Sequence, residues 1–159
     1  MDELLKILKN NAMEKAEDIA KMLNTTPDDV RSRIRDYEKQ GIIRAYQAVL
    51  NEDELDLERV IAVIEVKVTP EREGGFDRIS MRISRYPEVQ SVYLMSGTYD
   101  LLLFVAGKDL KEVAMFVSEK LATLDGVLST STHFMLKTYK HHGVLMKEEQ
   151  SDDRLQVTP

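Results

Sequence analysis

The chain has 159 residues, 43% hydrophobic and 31% charged, which is enough apolar material for a packed core and too much for a wholly disordered chain. It has no cysteine, which excludes disulfides, thiolate metal sites and cysteine nucleophiles. No uncharged apolar run approaches the roughly 18 residues of a membrane helix, and Met1-Asp2-Glu3 is acidic where a signal peptide is basic, so a cytoplasmic protein with no membrane partner is expected.

The net charge of -6 argues against a nucleic-acid partner only when averaged over the chain. Residues 1–50 hold nine Lys/Arg and nine Asp/Glu, so all the excess acid lies beyond them. A neutral head with locally clustered arginines can still meet phosphate through one face.

In chain order, Leu4, Leu5, Ile7 and Leu8 predict a first helix ending near Asn10-Asn11. Ala16, Ile19, Ala20 and Leu23, at i, i+3, i+4 and i+7, predict a second, with Asn24 as its stop. Thr26-Pro27-Asp28-Asp29 marks the start of a third: a hydroxyl N-cap, a proline at the first helical position and two acids at the positive end of the macrodipole. Val30, Ile34 and Tyr37 form its inner stripe, and Gly41 its cap. Ile42 to Leu50 alternates loosely, as a strand or small hairpin would. This order is that of a helix-turn-helix with a wing. Spacing alone leaves open a three-helix pad that merely packs, since such helix pairs also occur in enzymes and adaptors.

Glu52 to Arg59 reads as a charged connector. Val60 to Val68 predicts a strand, Phe76, Ile79 and Ile83 a helix ended by Pro87, and Val89–Met95 and Leu101–Val105 two further strands. Asp109 to Glu112 resembles a capping box opening a helix with its stripe at Leu110, Val113, Ala114, Val117, Leu121 and Leu124. Gly126 ends it, and Val127 to Tyr139 is the last strand. The β-α-β-β-α-β order is the ferredoxin-like arrangement, with both helices on one sheet face. The other face needs a cover; Ala62, Ile64, Val66, Leu103 and Val105 are assigned to it, with a second copy as the cover. The expected fold is therefore α+β: a winged helix-turn-helix over 1–51, a linker over 52–59, a βαββαβ domain over 60–139 and a tail over 140–159.

The ordered set Ile19-Ala20-Lys21, Thr26 to Ile34, Tyr37 to Tyr46, Ala48 to Asn51, Gly97-Thr98-Tyr99-Asp100 and Leu124-Asp125-Gly126-Val127 resembles the Lrp/AsnC family of leucine-responsive, or feast/famine, transcription regulators. The match runs over roughly residues 4–139. The chain departs from the family where Asn24 replaces a usual glycine, Thr25 an apolar residue and Lys15 a usual Ser or Thr helix cap. The resemblance implies a DNA-binding head and an amino-acid-sensing domain that pairs through its sheet. It also implies assembly as dimers that ring into tetramers or octamers, with an amino acid or related effector bound between dimers.

On that resemblance, Thr26, Arg31, Ser32 and Arg35 are the expected contacts to double-stranded DNA bases, with Lys39 and Arg44 on phosphates. Arg33 is expected to pair with Asp29 or Asp36. The plain alternative is a solvated helix face with intrahelical pairs. For the effector, Asp100 is the expected partner of an α-ammonium and Gly97 lets the backbone approach a carboxylate. Thr98, Thr130 and Thr132 complete the polar shell by resemblance, although Gly and Asp are also ordinary turn residues.

No cofactor or metal is expected. His141 and His142 are adjacent, and His133 lies eight residues earlier, a poor spacing for ligands. The alternatives are a sensing or interaction protein without DNA binding, and an enzyme like the siroheme decarboxylases related to the family. Against the enzyme, the stretch from Met95 to Val105 contains neither His nor Arg.

Overall fold

The computed structural model describes residues 1–147 except 56, 71 and 73. The chain divides into two compact units between Leu50 and Asn51.

In the first unit, α1 (Glu3–Asn10) begins where Asp2 Oδ1 accepts from the Leu4 amide at 2.8 Å. Lys15 gives α2 (Ala16–Met22) no side-chain cap, and Glu17 and Asp18 in the first turn face the helix's positive end instead. Asn24 takes φ 50°, which lets the Thr25 amide return to the Ala20 carbonyl at 2.9 Å and stop α2. The Thr26 hydroxyl then accepts from the Asp29 amide at 3.2 Å and opens α3 (Pro27–Lys39). At the far end Gly41 takes φ 69° and the Ile42 amide bonds the Tyr37 carbonyl at 2.9 Å. Leu4, Leu8, Ile19, Ala20 and Val30 form the buried core, with Ile34, Tyr37 and Ile43 packed against it.

One expectation fails here. Residues 42–50 contain no strand, and apart from Ile43 they are exposed. Alternation favours a strand but cannot supply its ladder partner, and no described residue pairs with this segment. The first unit is three helices without a wing strand.

The second unit starts with a single 3-10 turn at Glu52–Glu54. Its elements are β1 (Val60–Val68), α4 (Asp77–Ile83), β2 (Val89–Leu94), β3 (Leu101–Gly107), α5 (Leu110–Met115) and β4 (Val127–Phe134). The sheet is antiparallel with order β2-β3-β1-β4, the ferredoxin-like order. Asp109 caps α5 by accepting from the Glu112 amide at 2.7 Å, and the Glu112 carboxylate reaches back to the Lys108 amide. The stripe expected to run through one α-helix to Leu124 instead passes from α5 into a wider π-type turn at Phe116–Leu121. Tyr86 meets Phe116 edge to face at 5.6 Å between ring centres.

The sheet's two faces are reversed relative to expectation. Ala62, Ile64, Val66, Leu103 and Val105 were assigned to the uncovered face, yet each is fully buried beneath Ile79, Ile83, Val113, Phe116 and Leu121. The uncovered face carries Ile61, Val63, Glu65, Lys67, Leu102, Phe104 and Tyr93, all half-buried or exposed. Side chains alternate along a strand, so an error of one residue in parity exchanges the whole set.

Beyond β4 the chain forms a small hairpin, β5 (Lys140–His141) with β6 (Val144–Leu145), within the stretch expected to be a tail. Residues 148–159 of the expected tail lie outside the described residues. No helix among the described residues is long and apolar enough to cross a membrane.

Candidate functional site

The outer face of α3 follows from its inner one. At about 100° per residue, Asp28, Arg31, Ser32, Arg35 and Lys39 fall within an arc of about 100° opposite Val30, Ile34 and Tyr37. All five are exposed, as is Thr26. The Thr26 hydroxyl is already engaged with the Asp29 amide, so it opens the helix as well as lining its exposed end. Arg44 lies past α3, its guanidinium close enough to the Gly41 cap that a Cβ there would approach Arg44 Cζ to 3.1 Å.

Charge is distributed unevenly along this arc. Arg31 Nη1 donates to Asp28 Oδ1 at 3.1 Å, and its Nη2 donates to Glu17 on α2. Arg35, Lys39 and Arg44 have no ion-pair partner among the described residues. Arg33 sits at the margin between the faces. Its Nη2 donates to both Asp2 oxygens at 2.9 Å, and Nη1 lies 3.6 Å from Asp29, whereas Asp36 is not its partner. Burial raises the Asp2 pKa, but the Leu4 amide, the Tyr37 hydroxyl and the Arg33 guanidinium outweigh it and hold the carboxyl below its ordinary value. Sequence reasoning missed Glu17 and Asp2. Each lies too far along the chain from its arginine for helical spacing to pair them, although Asp2 ahead of Glu3-Leu4-Leu5 carries a readable cap signal.

In the second unit the turn between β2 and β3 holds Gly97 at φ 149° with open space around its α-carbon. Thr98 is exposed, whereas Asp100 is half-buried and anchored. Its amide bonds the Val66 carbonyl at 3.0 Å, its carbonyl accepts from the Met95 amide at 2.8 Å and its Oδ2 accepts from the Val68 amide at 2.9 Å. The second carboxylate oxygen has no hydrogen-bond partner among the described residues. Thr130 and Thr132 stand on β4 opposite Val66 and Ile64, on the helix-facing side. Strand β1 lies between them and β3, so roughly two strand spacings, about 10 Å, separate them from the Asp100 end of the sheet.

Two clefts lie elsewhere: one of about 270 Å³ along α4 and β2, and one of about 260 Å³ between α4 and Asp125-Gly126. His133 Nε2 is 3.5 Å from Glu65 on the uncovered face, and the exposed rings of His141 and His142 are 4.1 Å apart. Among the described residues no three His, Asp or Glu side chains are grouped to hold a metal ion.

Comparison with known proteins bears on both units. Residues 61–145 match the model of the Lrp/AsnC ligand binding domain. Over 158 residues, 99% of this chain and 95% of the relative, the chain is 46% identical to the uncharacterized HTH-type transcriptional regulator YugG of Bacillus subtilis. It is 27% identical over 144 residues to the leucine-responsive regulatory protein of Haemophilus influenzae, covering 91% of this chain and 86% of that one. Among solved structures, a transcriptional regulator of Neisseria meningitidis in complex with L-Met superposes with a TM-score of 0.65 at 26% identity, covering 89% of this chain and 93% of that one.

Proposed function

The chain belongs to the Lrp/AsnC family, and from that premise we propose that it is a sequence-specific transcription regulator that binds double-stranded DNA as a homo-oligomer. Its relatives include an HTH-type transcriptional regulator and a leucine-responsive regulatory protein. The observation that carries the reading is the outer arc of α3. Arg35 and Lys39 stand exposed and without ion partners among the described residues, one turn apart, directly opposite the stripe that packs the helix down. A helix held in this way presents a hydroxyl and guanidinium surface to the major groove, with Thr26, Arg31, Ser32 and Arg35 toward bases and Lys39 and Arg44 toward phosphates. Residues 1–50 thus act as the DNA-binding head, and the βαββαβ unit as the sensor. The chain works in the cytoplasm, where its DNA is.

Assembly uses the uncovered sheet face. Ile61, Val63, Leu102 and Phe104 with Tyr93 make an apolar surface that a second copy covers, and dimers join into tetramers or octamers. The effector is an amino acid or a related small molecule, a reading supported by the L-Met complex of the Neisseria relative. Gly97, Thr98 and Asp100 take it up, and Thr130 and Thr132, about 10 Å away on β4, meet only its far end. Binding alters DNA affinity only to the extent that one arrangement of subunits holds the ligand better than another.

Footprinting of the purified protein on the region upstream of its own gene, at two salt concentrations and with a panel of amino acids, tests the reading. Protection that weakens steeply with salt and shifts with one of the amino acids is the expected result. Absence of protection on every fragment at low salt overturns it in favour of a sensing protein without DNA binding.

A further inference from the structure

On the outer arc of α3, one cation differs from the rest. Arg31 is held by two of the protein's own carboxylates, Asp28 one turn earlier on α3 and Glu17 on the neighbouring helix α2. Arg35 and Lys39 on the same arc have no such partner among the described residues. The pair is not a core element: the Arg31 and Glu17 side chains are 46% and 53% exposed, so DNA lying against this face reaches both.

Two of the five N–H donors of the Arg31 guanidinium are already engaged with carboxylates, one on each terminal nitrogen. A bidentate contact to guanine or phosphate across Nη1 and Nη2 draws on the same two nitrogens and competes with Glu17, which then remains as a negative charge beside the DNA. Resting on the reading of α3 as the DNA-facing helix, we propose that Glu17 is an affinity-limiting residue. It holds Arg31 back from DNA, and the protein binds duplex more weakly than its arginine content would permit. Glu17 lies on the supporting helix, outside the set that spacing on α3 nominates, and it acts through Arg31.

The test is a double-mutant cycle on the full chain, using a footprinted duplex and an unrelated duplex of the same length. Glu17→Gln keeps the side chain's size and an acceptor oxygen while removing its charge, and a circular-dichroism melt checks that α2 still folds. Freeing an exposed pair of this kind should tighten binding by about 1.5-fold to fivefold at low salt. The same substitution in an Arg31→Ala background should give little or none of that gain. An equal gain in both backgrounds makes Glu17 a plain repulsive charge and overturns the proposal, as does wild-type affinity in Glu17→Gln. Asp28→Asn supplies a second arm, releasing the other side of Arg31 with a smaller gain of the same dependence. If neither wild type nor Glu17→Gln binds any duplex, the regulatory reading falls and takes this proposal with it. If wild type binds and the cycle shows no coupling, only the restraint by Glu17 is lost.

Discussion

Asp100 Oδ2 accepts a hydrogen bond from the Val68 amide at 2.9 Å, tying the turn before β3 to the end of β1, where the pairing with β4 shifts register. The residue nominated for an effector's ammonium is therefore also a backbone anchor. Val68 is buried, and removing its acceptor leaves that N–H without one at a cost of about 1–3 kcal/mol.

Asp100→Ala should accordingly lower stability in denaturant titration, whereas Asp100→Asn, which retains an acceptor oxygen, should stay near wild type. Any effector response should be blunted in both variants, because both lack the negative charge. An Asp100→Asn protein with a normal effector dose curve would remove Asp100 from the ligand site while leaving its structural role intact.

Asp2 caps α1 and receives Arg33 from α3, so one carboxylate links the two ends of the three-helix unit. Its folded pKa lies below the ordinary 3.8. Its contribution is thus fully present above pH 3.8 and is lost as pH falls through the lower folded value. Asp2→Asn preserves a capping side chain but abolishes the titration. The acid limb of the helical circular-dichroism signal should be shallower in that variant, and an unchanged limb would show that Asp2 does not couple folding to pH.

The two sheet faces predict opposite mutant behaviour. Ile64→Ala, on the helix-covered face, should destabilise the subunit by about 2–5 kcal/mol without directly altering assembly. Phe104→Glu, on the uncovered face beside Tyr93, should leave the subunit folded and reduce the mass seen by light scattering. Equal masses for wild type and Phe104→Glu would place the subunit contact elsewhere.

Local chemistry explains which parts were legible from sequence. Asn24 at φ 50°, the Thr26 cap and Gly41 at φ 69° are choices a helix end makes with its own neighbours, and residue type announces them. Strand parity is harder, because Val60 to Ile64 and Leu101 to Val105 are apolar at every position and both faces read alike. The available signal was Glu65 with Lys67: two charges on odd positions mark the odd face of β1 as the uncovered one. The missing wing strand and the π-type turn after α5 depend on ladder partners and packing that alternation does not encode. At the candidate site the exposed arc of α3 follows from helical period alone. Its pairing does not, since Glu17 meets Arg31 only once α2 and α3 have packed.

The central claim is that the outer arc of α3 meets DNA phosphate and base edges. Its most direct test is the dependence of duplex affinity on salt for wild type and for the Arg35→Ala, Lys39→Ala double variant. Loss of the Lys39 phosphate contact should make the log–log slope shallower by about 0.9, and loss of the Arg35 base contact should weaken binding further without adding to that change. A double variant that binds duplex with wild-type affinity and wild-type slope would contradict the account.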